Sequence, residues 1–197
     1  MRVGVLASGS GTNLQALLDA PDVDVVAVAS DKPDAVALER ARGAGVETAV
    51  FPRAEYADRA ARDVAMADWL AERGVGLVVL AGYMRIISPE FLARFPQRVI
   101  NVHPALLPAF PGLGAIQQAL DYGAKVTGVT VHFVDEGVDS GPIILQRALD
   151  VGDTADAEAL HERLRPLEQE LLPEAVRLVA AGRVSFDPAN PRRVVIA

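Results

Sequence analysis

Apolar, β-rich runs alternate with helical patterns along most of this chain. The candidate strands are Val3–Ala7, Val25–Ser30, Glu47–Phe51, Leu77–Ala81, Val99–Val102, Val126–Val134 and Ile143–Leu149. The first, second and fourth are continuously apolar, as expected of strands covered by helices on both faces of a parallel sheet. Helical periodicity occupies Asn13–Ala20, Ala35–Ala44, Tyr56–Arg73, Pro89–Phe95, Ala115–Tyr122 and Ala155–Ala181. Gly45, Gly74, Gly123 and Gly182 stand just past helix ends, where a left-handed residue is wanted.

Such alternation predicts right-handed βαβ units. The expected fold is α/β and Rossmann-like: a doubly wound, mostly parallel sheet with helices on both faces. Val126–Val134 alternates more strictly and is followed closely by another strand, which fits an antiparallel pair in the C-terminal part. No linker or repeat interrupts the pattern, so residues 1–197 read as a single domain. The prolines of Asp187–Ala197 suggest a tail lying over the surface. In a sheet of this kind ligands bind beyond the carboxyl ends of the strands.

Composition narrows the chemistry. Apolar residues make up 51% of the 197 and charged residues 23%, which excludes a disordered chain. The absence of cysteine excludes a disulfide scaffold, thiolate metal sites and a cysteine nucleophile. No apolar run is long enough to span a membrane, and Met1 opens directly into a strand-like stretch without a signal peptide. A cytoplasmic location without membrane contact is expected. The formal charge of −7, with Lys and Arg scattered, disfavours nucleic acid. It leaves room for a small anion held by backbone N–H groups.

Three segments carry candidate chemistry. After the first strand, Ser8-Gly9-Ser10-Gly11-Thr12-Asn13-Leu14-Gln15 offers two glycines for a tight turn, and Thr12 or Asn13 as a helix cap. Leu14 replaces the third glycine of a dinucleotide fingerprint, so a single phosphate at the helix N-terminus fits better than a pyrophosphate. The same residues also suit an ordinary strand-to-helix turn. Next, Asn101 and His103 stand two apart on a strand ended by Pro104, so both side chains share one face at a carboxyl edge. An amide donor beside an imidazole can hold a polarised carbonyl oxygen and pass a proton. His132 alternates with strand residues of the other face, and His161 lies on a charged helix; both read as structural or solvated. Finally, the acidic loop from Asp135 to Asp139 could place a carboxylate against the imidazole. Nothing in its spacing converges on a metal.

In this order the segments resemble those of the folate-dependent glycinamide ribonucleotide formyltransferases of purine synthesis. The likeness covers Ser8–Gln15, Ala81-Gly82-Tyr83-Met84-Arg85-Ile86-Ile87-Ser88-Pro89, Asn101-x-His103-Pro104-x-Leu106-Leu107-Pro108, and Val131-His132-Phe133-Val134 leading to Asp139-Ser140-Gly141-Pro142. The resemblance implies a catalytic trio of Asn101, His103 and Asp139. It implies 10-formyltetrahydrofolate as co-substrate and no metal. Gly11, Thr12, Asn13, Leu14 and Gln15 match the loop on the ribonucleotide phosphate. Glu168, with Arg165 beside it, matches a further ribonucleotide contact. Met84, Arg85, Ile86 and Ile87, with Asn101, match the pterin-binding segment, and Arg59 an arginine near the folate's glutamate tail. Residues 1–100 would then form the nucleotide-phosphate half, 101–182 the folate-binding and catalytic half, and 183–197 the tail.

One position departs from the resemblance. Many relatives carry a histidine in the stretch that here reads Leu113-Gly114-Ala115-Ile116, so Asp139 is expected to rely on water or backbone partners. Three other readings stay within reach of the same fold. A hydrolase of 10-formyltetrahydrofolate and a methionyl-tRNA formyltransferase resemble longer chains, and the charge of −7 disfavours tRNA. A non-catalytic folate- or nucleotide-binding module has no need of the trio. The partners expected are the two small molecules, with the chain a monomer or homodimer.

Overall fold

The computed structural model describes residues 1–197. It forms two compact units, Met1–Asn101 and Val102–Ala197.

The first unit is a parallel sheet of β1 (Arg2–Leu6), β2 (Asp24–Ser30), β3 (Glu47–Val50), β4 (Leu77–Leu80) and the start of β5 (Val99–His103), in the order β3-β2-β1-β4-β5. The chain steps outward from β1 to β3, then returns to β4 on the other side of β1. Right-handed crossovers therefore put α1 (Thr12–Leu18) and α2 (Val36–Gly43) on one face and α3 (Arg59–Glu72) and α4 (Pro89–Arg94) on the other. The continuous apolar runs are explained by this double cover: Val5, Leu6, Val28, Ala29, Val78 and Val79 are fully buried. Leu6 pairs with Leu80, and Leu80 with Asn101, so the carboxyl ends of β1, β4 and β5 lie along one edge.

Neither Thr12 nor Asn13 caps α1. Gly11 takes the cap position at φ +72°, with no side-chain cap bond. A Cβ there would lie 2.7 Å from the backbone of Ala37, so close packing of the loop on α2 demands glycine. By contrast α3 is capped by Asp58, which accepts from the Ala61 N–H at 2.8 Å. Ser88 caps α4, with Pro89 in its first turn.

The second unit pairs β6 (Val126–Phe133) with β7 (Ile143–Asp150) in antiparallel register. Across them lies α6 (Ala157–Ala180), burying Leu160, Leu164, Leu171, Leu172 and Val176 on one helical face, with α5 (Ala115–Tyr122) beside it. The glycines read as helix ends have the expected conformation: φ is +74° at Gly45, +66° at Gly74, +76° at Gly123 and +67° at Gly182.

Residues 183–197 are not a tail. They form a hairpin of β8 (Val184–Asp187) and β9 (Asn190–Ile196), and β9 runs parallel to β7 with Arg193 opposite Ile143. The prolines fall where a hairpin tolerates them: Pro188 lies in the turn, and Pro191 next to the first residue of β9. Phe186 packs against Phe133 with ring centroids 5.0 Å apart and the rings tilted by 45°, and this contact fastens the hairpin. No helix is long and apolar enough to cross a membrane.

Candidate active site

Strand β5 carries Asn101 and, two residues on, His103. Pro104 ends its ladder. His103 is 5% exposed, and both of its ring nitrogens are engaged. Nδ1 lies 3.3 Å from Asp139 Oδ2, and Nε2 lies 2.8 Å from the Phe110 carbonyl oxygen. Both partners are acceptors, an arrangement that suits a ring carrying a proton on each nitrogen. Such a group can donate to a developing oxyanion and then give up a proton.

Asp139 is held from several sides. Its Oδ2 accepts from the Gly112 N–H at 2.8 Å, and its Oδ1 lies 3.6 Å from His132 Nε2. Burial pushes its carboxyl upward, but His132, the Gly112 N–H and His103 outweigh that and hold it down at about 2. The carboxylate is therefore charged across the physiological range.

His132 corrects the reading from strand alternation. The residue skipped in the β6–β7 register is Ile144, on β7, so β6 keeps its alternation. Every residue from Thr127 to Phe133 is buried, and the face that His132 shares with Thr130 is covered like the other. His132 is 2% exposed, with Nδ1 2.8 Å from the Phe133 carbonyl and Nε2 toward Asp139. The expectation of backbone partners for Asp139 holds at Gly112, but a histidine from β6 stands there too. In the stretch 113–116, Gly114 is the N-cap of α5, at φ +70°. His161, the other histidine set aside, lies 3.9 Å from Glu168 on α6.

At the carboxyl edge of the first unit, the loops after β1 and β4 are tied together. Asp31 accepts from Ser8 Oγ at 2.6 Å and from Arg85 Nε at 2.7 Å, while Ser8 Oγ accepts from the Met84 N–H at 3.0 Å. Burial opposes the charge on Asp31, yet these partners bring its carboxyl below the ordinary value. The far end of the second loop is held by Asp63, which is fully buried, pairs with Arg62 at 2.7 Å and accepts from the Ser88 N–H at 2.8 Å. Between these anchors Met84 and Ile86 are 56% and 55% exposed, an apolar surface fit for a flat, weakly polar ligand. Ile87 points into the core instead. No group of three or more His, Asp or Glu side chains is arranged to hold a metal ion.

Residues 1–176 match the formyl transferase family. The chain belongs to that family.

This formyl transferase is 47% identical over 188 residues to a phosphoribosylglycinamide formyltransferase of Mycobacterium tuberculosis, covering 93% of this chain and 87% of that protein. It is 45% identical over 190 residues to the trifunctional purine biosynthetic protein adenosine-3 of Bos taurus, covering 93% of this chain but only 19% of that protein. The chain thus spans less than a fifth of the length of the trifunctional relatives it matches. Its fold superimposes on the glycinamide ribonucleotide transformylase 1 structure of Symbiobacterium toebii with a TM-score of 0.96 and 51% identity, covering 100% of this chain and 93% of that one.

The remaining expected residues of the formyl transferase divide by environment. Asn13 is buried at the start of α1, and Leu14 lies wholly in the core, so the Leu14 side chain is unavailable to a ligand. Gln15 is committed to Asp19 and to Arg40, and Arg40 also donates to the Ser10 carbonyl at 2.8 Å, bracing the glycine loop. Arg59 is exposed at the first turn of α3. Glu168 is 5% exposed, and Arg165 lies 3.5 Å from Glu158.

Sequence reading passed over Asp31, Arg40, Arg62, Asp63, Thr130 and His132. Asp31 had a signal, since it follows β2 at a carboxyl end, where ligands and their supports gather. Thr130 had none: its Oγ1 donates to the Ala105 carbonyl at 2.7 Å and accepts from the Leu107 N–H at 3.1 Å, contacts set by packing alone.

Proposed function

We propose that this formyl transferase moves the formyl group of 10-formyltetrahydrofolate to the amine of glycinamide ribonucleotide, giving formylglycinamide ribonucleotide and tetrahydrofolate in de novo purine synthesis. One observation carries the proposal: the buried imidazole of His103 at the end of β5, with a charged Asp139 at Nδ1 and Asn101 on the same strand face. The names of its relatives agree with it.

In the proposed reaction the substrate amine attacks the formyl carbon, forming a C–N bond. The Asn101 amide and the Nε2–H of His103 donate to the oxyanion. The oxyanion takes the place of the Phe110 carbonyl as acceptor. Collapse breaks the bond from the formyl carbon to N10 of the folate. The proton lost by the amine reaches N10, with Asp139 keeping His103 charged during the exchange. Acyl transfer of this kind needs an oxyanion site and a proton carrier, and no step calls for a metal.

The first unit supplies most of the binding in this reading, and α6 of the second unit the rest. Gly11, Thr12, Asn13 and the backbone of Leu14 receive the phosphate, with Gln15 as a brace. Met84, Arg85 and Ile86 meet the pterin, for which Ile87 forms the floor from the core side. Arg59 meets the glutamate tail, and Glu168 with Arg165 the ribonucleotide. A cytoplasmic enzyme acting on two small molecules, as monomer or homodimer, is the setting proposed.

The test is absorbance-monitored turnover of a 10-formylfolate analogue, with and without glycinamide ribonucleotide. Consumption is expected only with the ribonucleotide, with formylglycinamide ribonucleotide as product. Equal consumption without it would identify a hydrolase and end the transferase reading.

A further inference from the structure

We infer that the C-terminal hairpin β8–β9 positions Asp139, and that Arg192 is the residue through which it does so. The inference rests on the proposed role of Asp139 beside His103.

Asp139 sits on a loop between β6 and β7, where precision matters: a displacement of about 1 Å in a reacting constellation costs on the order of a hundredfold in rate. The loop is closed at its base, where the Phe133 N–H donates to the Pro142 carbonyl at 2.8 Å. Gly141 lies so close that a Cβ would stand 1.8 Å from the Phe133 carbonyl oxygen. Inside the loop, Ser140 Oγ donates to Asp135 at 2.6 Å, as does the Gly137 N–H at 3.1 Å. These bonds shape the loop but tie it to nothing beyond itself.

The hairpin supplies an outside hold at two points. Phe186 of β8 packs against Phe133, where the loop leaves β6. Arg192 of β9 donates from its guanidinium to the Ser140 carbonyl at 2.6 Å, one residue past Asp139. Pairing of β9 with β7 at Ile143 fixes the hairpin just beyond the loop's return. Asp139 itself has φ +50°, in the left-handed region disfavoured for a residue with a side chain. A strained residue persists where its surroundings over-determine it. The Arg192 bond to the next carbonyl is one such constraint. The family match ends at residue 176, before the hairpin begins.

The experiment compares Arg192→Ala, Arg192→Lys and Arg193→Ala in the full chain. Arg193 is the neighbouring exposed arginine; its guanidinium pairs with Asp187 rather than with the loop. Arg192→Ala is expected to lower kcat about tenfold, with the KM of each substrate within about twofold of wild type and the thermal midpoint unchanged. Arg192→Lys, which can still donate to the Ser140 carbonyl, is expected to recover most of the loss, and Arg193→Ala to match wild type. The inference is overturned if Arg192→Ala keeps kcat within about twofold of wild type, if its KM values rise in step with the loss, or if Arg193→Ala is equally impaired. A wild-type chain that makes no formylglycinamide ribonucleotide would overturn the proposed function instead, before any variant is compared.

Discussion

Asp139 joins two costs, a strained backbone and a half-buried charge, and both are met by fixed partners. Its carboxyl titrates near 2 when folded, against an ordinary 3.8. Above pH 3.8 this depression contributes stability, about 2 kcal/mol, and that contribution is lost as pH falls through the folded value. Asp139→Asn removes the titrating group. Its unfolding free energy is expected to fall less steeply than wild type between pH 5 and pH 2, as urea denaturation at each pH reports. The same substitution, and His103→Ala, should each lower kcat by at least about a hundredfold with the fold intact, the scale of a positioned acid–base group. Near-wild-type turnover in either variant would remove that residue from the mechanism.

The segment between β4 and α4 shows how an element is positioned by chemistry outside itself. Two loop amides, at Met84 and Ser88, are held by Ser8 and Asp63, and the exposed Met84 and Ile86 lie between them. Asp63 is fully buried and Arg62 3% exposed, so removing one partner leaves the other charged and dry. Asp63→Ala is expected to cost about 3–5 kcal/mol in unfolding free energy and to free the Ser88 end of the loop. Chemical denaturation measures the first effect, and a rise in folate KM with little change in ribonucleotide KM the second. A variant as stable as wild type would show that Arg62 finds another partner. The glycine loop follows the same logic through Gly11, whose closeness to Ala37 replaces the side-chain cap that the sequence suggests.

At the scale of the whole molecule, net charge decides which acceptors approach. With −7 spread over 197 residues, attraction to a polyanion is weak, while a lone phosphate asks only for local N–H donors. Initiator methionyl-tRNA offered with the formyl donor is therefore expected to stay unformylated under conditions where glycinamide ribonucleotide is consumed; charged-gel separation of the tRNA would reveal the contrary. The sequence by itself determined the alternation of strands and helices, the parallel first unit, the antiparallel β6–β7 pair and the candidacy of Asn101, His103 and a carboxylate of the loop from Asp135 to Asp139. These follow from local rules: apolar period, glycine after a helix, a proline ending a strand. Only the tertiary structure decided what depends on register and distance. Covering of both faces of β6 set His132 beside Asp139, and pairing of β9 with β7 made a hairpin of an apparent tail. Asp31 and Asp63 became loop anchors because folding set them against Ser8, Arg85 and Ser88, residues 23 to 54 positions away. No periodicity along the chain encodes such contacts, since they arise where separately formed elements pack.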